Sequence, residues 1–298
     1  MEFVVTLIAN PDIAPLTPEI VKRVEALLRK NGCETTEPDW LASDIACDIP
    51  FDECSSAEPQ QAIRSLTADL KIDCVIQPCA NRRKRLLLAD MDSTIVTSET
   101  LDELAALAGI KEQIAAITER AMRGEIDFKD ALRERVSMLG GLSADALNST
   151  LEKIELTAGA HQLVKTMREN GAYTVLVSGG FSFFTNAIAK LVGFHEDRSN
   201  TMVIENGIIT GDVSEPILDR DAKLKTLNEI SAAKSIPLIE TMATGDGAND
   251  LPMIMNAGLG VAYHAKPLVE EKAPAAIRYG DLTALLYIQG YRREEFRD

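Results

Sequence analysis

The chain has 298 residues, 46% of them hydrophobic and 26% charged, with 31 Lys+Arg against 46 Asp+Glu and a formal net charge of −15. This is the composition of a folded globular chain and excludes a disordered or low-complexity one. So acidic a surface argues against nucleic-acid binding, because a phosphate backbone would be repelled over most of it. No apolar run nears the ~18 residues of a membrane helix, which predicts a soluble protein with no membrane partner.

Residues 3–9 read as a strand without the basic start of a secretory leader, which predicts a cytoplasmic protein. An amphipathic helix over 18–30 follows, with Thr17 as N-cap, Pro18 in its first position and Gly32 at its end. Strands over 35–41 and 43–49, a helix over 59–70 and a strand over 73–77 complete a βαββαβ order. That order suits a small α+β, ferredoxin-like sheet in a first domain, residues 1–80. The domain holds all 5 cysteines, none in a CxxC pair, and they read as reduced thiols packed as small hydrophobes. It also holds 6 Lys+Arg against 14 Asp+Glu, over half the chain's excess of negative charge. The run Arg82-Arg83-Lys84-Arg85 then reads as a solvated linker.

From there strands alternate with helices, the signature of an α/β doubly wound parallel sheet, here over residues 81–298. A buried strand over 85–89 is followed by an almost wholly helical stretch, 100–151, that interrupts the alternation. A strand over 173–177 and a helix over 181–191 come next, and Asn206-Gly207 between apolar stretches predicts a hairpin within 201–213. Later strands fall at 238–243 and 258–262. His264, just past the last of these, is read as structural.

Ligands of such sheets bind where the strands stop, at their carboxyl ends. Three strand ends carry polar clusters: Asp90-Met91-Asp92-Ser93-Thr94, Ser178-Gly179-Gly180, and Thr244-Gly245-Asp246-Gly247-Ala248-Asn249-Asp250. Lys223 lies between the last two. Cleavage of a phosphate monoester calls for these groups. A carboxylate nucleophile divides the reaction into two easier steps. Its charge repels the phosphoryl dianion, so a hard divalent cation on oxygen ligands must offset it. Hydroxyl and amide donors gather the phosphoryl oxygens. The acid that protonates the leaving alkoxide needs a pKa well above the ordinary ~3.9.

The clusters resemble the motifs of the haloacid-dehalogenase (HAD) superfamily. Asp90-x-Asp92-x-Thr94 is similar to its first motif, Ser178 to the second, Lys223 to the third and Gly245-Asp246-Gly247-x-Asn249-Asp250 to the fourth. The resemblance covers residues 85 to about 281 and implies a HAD-type parallel sheet with a helical cap inserted after the first motif, at about 97–164. It is strongest toward the phosphoserine phosphatases, through Thr97-Ser98-Glu99-Thr100, Arg123-Gly124-Glu125-Ile126-Asp127-Phe128 and Leu132-Arg133-Glu134-Arg135-Val136.

By the resemblance, Asp90 is the nucleophile, Asp92 the general acid/base and Lys223 an added positive charge at the phosphate. Asp90, the backbone carbonyl of Asp92, and Asp246 would hold Mg2+. Ser178, Gly179 and Gly180 would bind phosphate, while Asn249 and Asp250 position Lys223 and the metal's water shell, Asn249 counting also among the substrate-binding residues. Glu99 would meet the substrate ammonium, Arg135 would grip its carboxylate, and Phe128 and Met122 would form an apolar lid. The implied reaction is hydrolysis of O-phospho-L-serine to L-serine and phosphate through an aspartyl-phosphate, the last step of serine biosynthesis. The alternative is another small phosphorylated amino acid, such as phosphothreonine or phosphohomoserine. The first domain resembles ACT-type amino-acid-binding domains, which implies a homodimer. Their ligand sites carry a glycine in the turn after the first strand; here the turn, Asn10-Pro11-Asp12-Ile13-Ala14-Pro15, has none, so a dimerising role stands beside serine binding.

Overall fold

A computed structural model describes residues 1–52, 58–122 and 125–298, with the side chains of residues 58–60, 122 and 220 outside the description. The first domain runs β1 (Phe3–Ala9), α1 (Pro18–Lys30), β2 (Asp39–Ala42), β3 (Ala46–Phe51), α2 (Glu58–Asp69), β4 (Ile72–Pro78). Its four strands form one antiparallel sheet in the order β2-β3-β1-β4, the ferredoxin-like arrangement expected of βαββαβ. Pro18 opens α1 in its first position, and the Thr17 hydroxyl accepts from Ile20 N–H at 3.4 Å, so the helix begins where its capping residues direct.

The alternation along β1 decides how this domain sits. Val5, Leu7 and Ala9 face a core closed by Val21, Val24 and Leu28 of α1 and Ile63 of α2. Ile8, on the opposite face, belongs to a different core with Tyr287 and Tyr291 near the far end of the chain. Both faces of the small sheet are therefore covered, one by its own helices and one by the second domain.

The second domain contains β5 (Leu86–Ala89), α3 (Thr100–Leu107), α4 (Lys111–Met122), α5 (Phe128–Ser137), α6 (Asp145–Leu151), α7 (Ala160–Glu169), β6 (Tyr173–Phe181), α8 (Ser182–Val192) and β7 (Glu196–Asn200). Then come β8 (Met202–Glu205), β9 (Ile208–Val213), α9 (Arg220–Ala233), β10 (Thr241–Gly245), α10 (Leu251–Asn256), β11 (Leu259–Tyr263), α11 (Pro267–Lys272), β12 (Ala275–Ile277) and α12 (Ala284–Tyr287). Six strands pair in parallel in the order β12-β11-β10-β5-β6-β7. Leu86, Leu88, Val175, Val177 and Ala243 face α9 and α10. Leu87, Ala89, Leu176 and Met242 face the other layer. Burial on both faces explains why these strands read as unbroken apolar runs.

Helices α3 to α6 form an excursion from the sheet. The chain leaves at Val96 and returns at Leu156, where a bridge joins the two segments. Thr97 N–H donates to the Glu155 carbonyl at 3.0 Å and Thr157 N–H to the Ile95 carbonyl at 2.9 Å, closing a narrow neck. The hairpin β8–β9 turns on Asn206 (φ 51°) and Gly207 (φ 77°), the left-handed pair that Asn-Gly predicts. It docks on the segment after α5, with Gly141 N–H donating to the Ile209 carbonyl and Ile209 N–H to the Leu142 carbonyl, both at 2.9 Å.

Two expectations are corrected. The basic run is a solvated linker only at Arg83 and Arg85, which are exposed; Lys84 is buried, and Arg82 joins the two domains. Arg82 grips Asp48 through two nitrogens at 2.7 and 3.1 Å, Lys84 is buried with Nζ on the Ile239 carbonyl at 2.8 Å, and Arg83 and Arg85 pair with Glu295 and Glu240. Each partner lies far away in sequence, so the run shows its charge and hides its bonds. The thiols are not all reduced either: Cys33 is disulfide-bonded, while Cys47, Cys74 and Cys79 are free. Cysteines distant in sequence can meet in the fold, which a search for CxxC pairs does not see. No helix among the described residues is long and apolar enough to cross a membrane.

Candidate active site

Strand β5 ends in the sheet centre, and Asp90 follows it with its N–H on the Thr244 carbonyl of β10 at 3.0 Å. The chain then turns tightly through residues 91–95, closed by Val96 N–H on the Met91 carbonyl at 3.0 Å, with Ser93 at φ 54°. Asp90 Oδ1 accepts from Met91 N–H at 2.8 Å and lies 2.7 Å from Lys223 Nζ, which leaves Oδ2 as the oxygen without these bonds.

Lys223 reaches this point from the first turns of α9, whose N-terminus is capped by Asp219 accepting from the N–H groups of Asp221 and Ala222. Its Nζ also donates to Asp250 Oδ1 at 2.6 Å, and Asp250 Oδ2 accepts from Gly247 N–H at 3.0 Å. Burial favours the neutral amine, but the Asp250 and Asp90 carboxylates outweigh it and hold Lys223 above its ordinary pKa, so it stays an ammonium. The glycines of this loop are there for closeness. A Cβ on Gly245 would stand 2.4 Å from Asp250 Cγ, and one on Gly247 would stand 2.3 Å from Asn249 Oδ1.

Asp92 turns away from that group. Its Oδ1 accepts from Thr100 N–H at 2.7 Å and its Oδ2 from the Ser178 hydroxyl at 3.0 Å. Burial, then the charges of Glu99 and Asp90, push its pKa up to about 7. A carboxyl poised there can both give and take a proton near neutrality.

Ser178, Gly179 and Gly180 lie within β6, which runs on past the expected end at residue 177 to Phe181 before α8 begins at Ser182, so these amides belong to the end of the strand itself. Gly180 N–H donates to the Ser178 hydroxyl at 2.8 Å. A Cβ on Gly180 would come within 3.0 Å of Ser178 Oγ and 3.2 Å of Asp92 Oδ2, so glycine keeps this wall open. Gly179 is roofed by the cap: the Phe128 ring lies 3.5 Å from where its Cβ would be.

These groups enclose a cavity of about 150 Å³ between cap and sheet. Asp90, Asp92, Ser178 and Gly179 line its floor with Gly180, Asp246 and Asn249, and Glu99, Phe128 and Arg135 line its cap side. Met122 ends α4, and its side chain lies outside the described residues, as do Arg123 and Gly124. Arg135 makes no ion pair among the described residues; its Nε donates to the Ala131 carbonyl at 3.3 Å, and burial pulls its pKa below the ordinary value against the opposing charges of Asp102 and Glu99. Glu99 accepts from the Ser93 hydroxyl at 2.8 Å. Two polar side chains of the lining, Thr100 and Lys266, are given no role by the sequence reading. Thr100, the first residue of the first cap helix, has a buried hydroxyl without a hydrogen-bond partner. Lys266 sits on the loop after β11, where the strand-end rule that found the other clusters would also have found it.

Asp90, Asp246 and Asp250 bring carboxylate oxygens within 4.8 Å of one another. Burial, then the Asp90 charge, push Asp246 up to about 6. Three carboxylates facing one lysine leave an excess of negative charge and an all-oxygen donor set, which fits a hard divalent cation. Asp250 has both oxygens engaged by Lys223 and Gly247, so Asp90 and Asp246 are the carboxylates better disposed to bind one. The Asp92 carboxylate is committed elsewhere, which leaves only its backbone carbonyl for such a role.

Residues 87–255 match the family model for haloacid dehalogenase-like hydrolases. The chain is 36% identical over 285 residues to a phosphoserine phosphatase of Streptomyces coelicolor, an alignment covering 94% of this chain and 70% of that one. It is 32% identical over 304 residues to the phosphoserine phosphatase of Saccharomyces cerevisiae, covering 99% and 98%. A solved substrate-bound phosphoserine phosphatase complex superposes with a TM-score of 0.64 at 38% identity, covering 69% of this chain and 98% of that one.

Proposed function

The chain belongs to the haloacid dehalogenase-like hydrolase family, and from that premise we propose that it hydrolyses O-phospho-L-serine to L-serine and phosphate, with Asp90 as nucleophile. Asp90 Oδ2 attacks phosphorus while the serine oxygen leaves with the proton of Asp92. In the second step Asp92, now ionised, takes a proton from water, which attacks the same phosphorus and releases Asp90. A carboxyl with a pKa near 7 suits both halves of this exchange. Lys223 fixes the Asp90 rotamer and adds charge behind it. Asp90, Asp246 and the Asp92 carbonyl would hold Mg2+, whose double charge offsets repulsion between the carboxylate and the phosphoryl group. Ser178 and the amide of Gly179 would receive phosphoryl oxygens. The same reading makes the protein a cytoplasmic enzyme.

The observation that carries the substrate assignment is the Arg135 guanidinium, half-buried and without an ion pair among the described residues, in the same cavity as Glu99 and the phosphate-handling groups. A guanidinium partly withdrawn from water and without an ion pair is stabilised by a ligand carboxylate, which its planar fork can grip with two bonds. The relatives named phosphoserine phosphatases support the same choice. The test is phosphate release from phosphoserine with Mg2+ present, compared with para-nitrophenyl phosphate. Arg135→Ala and Glu99→Ala should each lower kcat/KM for phosphoserine by roughly 10²-fold, as loss of a charged hydrogen bond does, and spare the aryl ester. Equal losses on both substrates would refute the assignment of these residues.

A further inference from the structure

The loop of residues 264–266, between β11 and α11, brings a cation to the mouth of the cavity. Lys266 lines the cavity and makes no ion pair among the described residues, and its N–H donates to the Asp246 carbonyl at 3.1 Å. The loop does not take this path cheaply: His264 is held at φ 43°, which a non-glycine residue seldom adopts.

What holds it leads to the other domain. His264 N–H donates to the Ile277 carbonyl at 2.8 Å, and its ring Nε2 bonds the Gly280 carbonyl at 2.8 Å. Residues 278–280 are gathered in turn by one carboxylate, that of Asp73 on β4 of the first domain. It accepts from the N–H groups of Arg278, Tyr279 and Gly280 at 2.7, 3.1 and 2.8 Å. Asp73 is only 1% exposed, so these bonds are not shared with water. Asn10 adds a bond from the same domain, its Nδ2 donating to the Tyr279 carbonyl at 2.9 Å.

We infer that Lys266 captures the anionic substrate at the cavity mouth, and that the first domain positions it through Asp73, residues 278–280 and His264. A chain of net charge −15 repels a phosphate monoester at long range, so a local cation at the entrance decides how readily the ester enters. The substrate named here rests on the proposed function; the capture of a phosphate dianion does not.

The test is kcat and KM for phosphoserine and for para-nitrophenyl phosphate between low and high salt, with Mg2+ fixed. Removing one unit charge about 6 Å from a dianion in water lowers kcat/KM roughly tenfold at low salt. Lys266→Met should show that loss through KM on both substrates, keep kcat, and close most of the gap to wild type at high salt; Lys266→Arg should restore it. Asp73→Asn keeps the size of the side chain but loses an acceptor oxygen, and should raise KM about threefold without adding to Lys266→Met, because sites acting through one another are not additive. Should Asp73→Asn fail to fold, Asn10→Ala tests the same contact more gently. An unchanged KM and salt slope in Lys266→Met overturns the capture, and an additive double variant overturns the positioning. If the aryl ester is turned over and phosphoserine is not, the substrate assignment fails while the effect of Lys266 is still measured.

Discussion

Lys223→Met tests the electrostatic centre of the site. Lys223 Nζ lies 2.7 Å from Asp90 and 2.6 Å from Asp250, and the three side chains are 3%, 7% and 0% exposed. Methionine keeps the length of the stem and its packing but leaves two buried carboxylates with no cation between them. Breaking a buried pair by removing one partner costs about 3–5 kcal/mol, because the remaining charge is uncompensated. The loss should appear as a lower urea midpoint at pH 7 in EDTA, together with loss of phosphoserine hydrolysis. Its pH dependence has a definite sign. In the variant, burial and the Asp90 charge, which already hold Asp250 above the ordinary carboxylate range, are no longer opposed by the ammonium, so the cost of its ionised form grows as pH rises and fades as pH falls toward the unfolded ~3.9. Wild-type Lys223, with its pKa raised, stays charged throughout pH 5–8 and contributes no slope there. The deficit against wild type should therefore be larger at pH 8 than at pH 5. Lys223→Met/Asp250→Asn should recover part of the stability and none of the activity. A Lys223→Met protein with an unchanged urea midpoint at pH 7 in EDTA would refute the reasoning.

The acid limb of catalysis gives a second expectation. The Asp92 pKa stands at about 7 through burial, then Glu99 and Asp90, and the first step needs Asp92 protonated, so kcat/KM should fall tenfold per unit above that pH. Glu99→Gln removes a like charge and should move this limb to lower pH, measured on the aryl ester to avoid the ammonium contact. For the metal, thermal melts should rise on adding Mg2+, more at pH 7 than at pH 5 because the ligand carboxylates must be ionised, and Asp246→Asn should lose most of the rise. At the domain seam, Arg82→Ala leaves Asp48 uncompensated at 4% exposure and should cost about 3–5 kcal/mol in urea unfolding. The half-exposed Arg29–Glu25 pair makes the control: Arg29→Ala should change stability by less than ~1 kcal/mol.

Element order was legible because local rules and tertiary need agree in most segments. Thr17-Pro18 starts α1, Asn206-Gly207 turns the hairpin, and buried runs such as Leu86-Leu87-Leu88-Ala89 mark central parallel strands. The misjudged places are those where meaning comes from a distant partner. Arg82 and Lys84 resemble any solvated basic pair until Asp48 and the Ile239 carbonyl are brought to them. The strand expected over 173–177 ends before Ser178-Gly179-Gly180 because glycine disfavours strands, yet pairing with β7 carries β6 on to Phe181.

The site was legible for the same reason and obscure for the same reason. Polar clusters at strand ends are visible because they interrupt apolar runs, and parallel pairing of β5 with β6 and β10 brings three of them together. Lys266 follows a strand end too, but a lone lysine interrupts nothing; only the order β11-β10-β5 shows that its loop borders the cavity. The charges then explain why a chain of net −15 can handle an anion. Its carboxylates are spread over the surface, where water and salt screen them within roughly 8–10 Å. Lys223 is held where water is largely excluded and Arg135 where it is partly so, so each acts at a lower effective dielectric than the screened surface charges. Net charge governs the approach of the substrate, and placement of a few cations governs what happens on arrival. Neutralising surface acids should therefore raise kcat/KM at low salt and leave kcat unchanged, whereas a change in kcat would mean that surface charge reaches the reacting atoms.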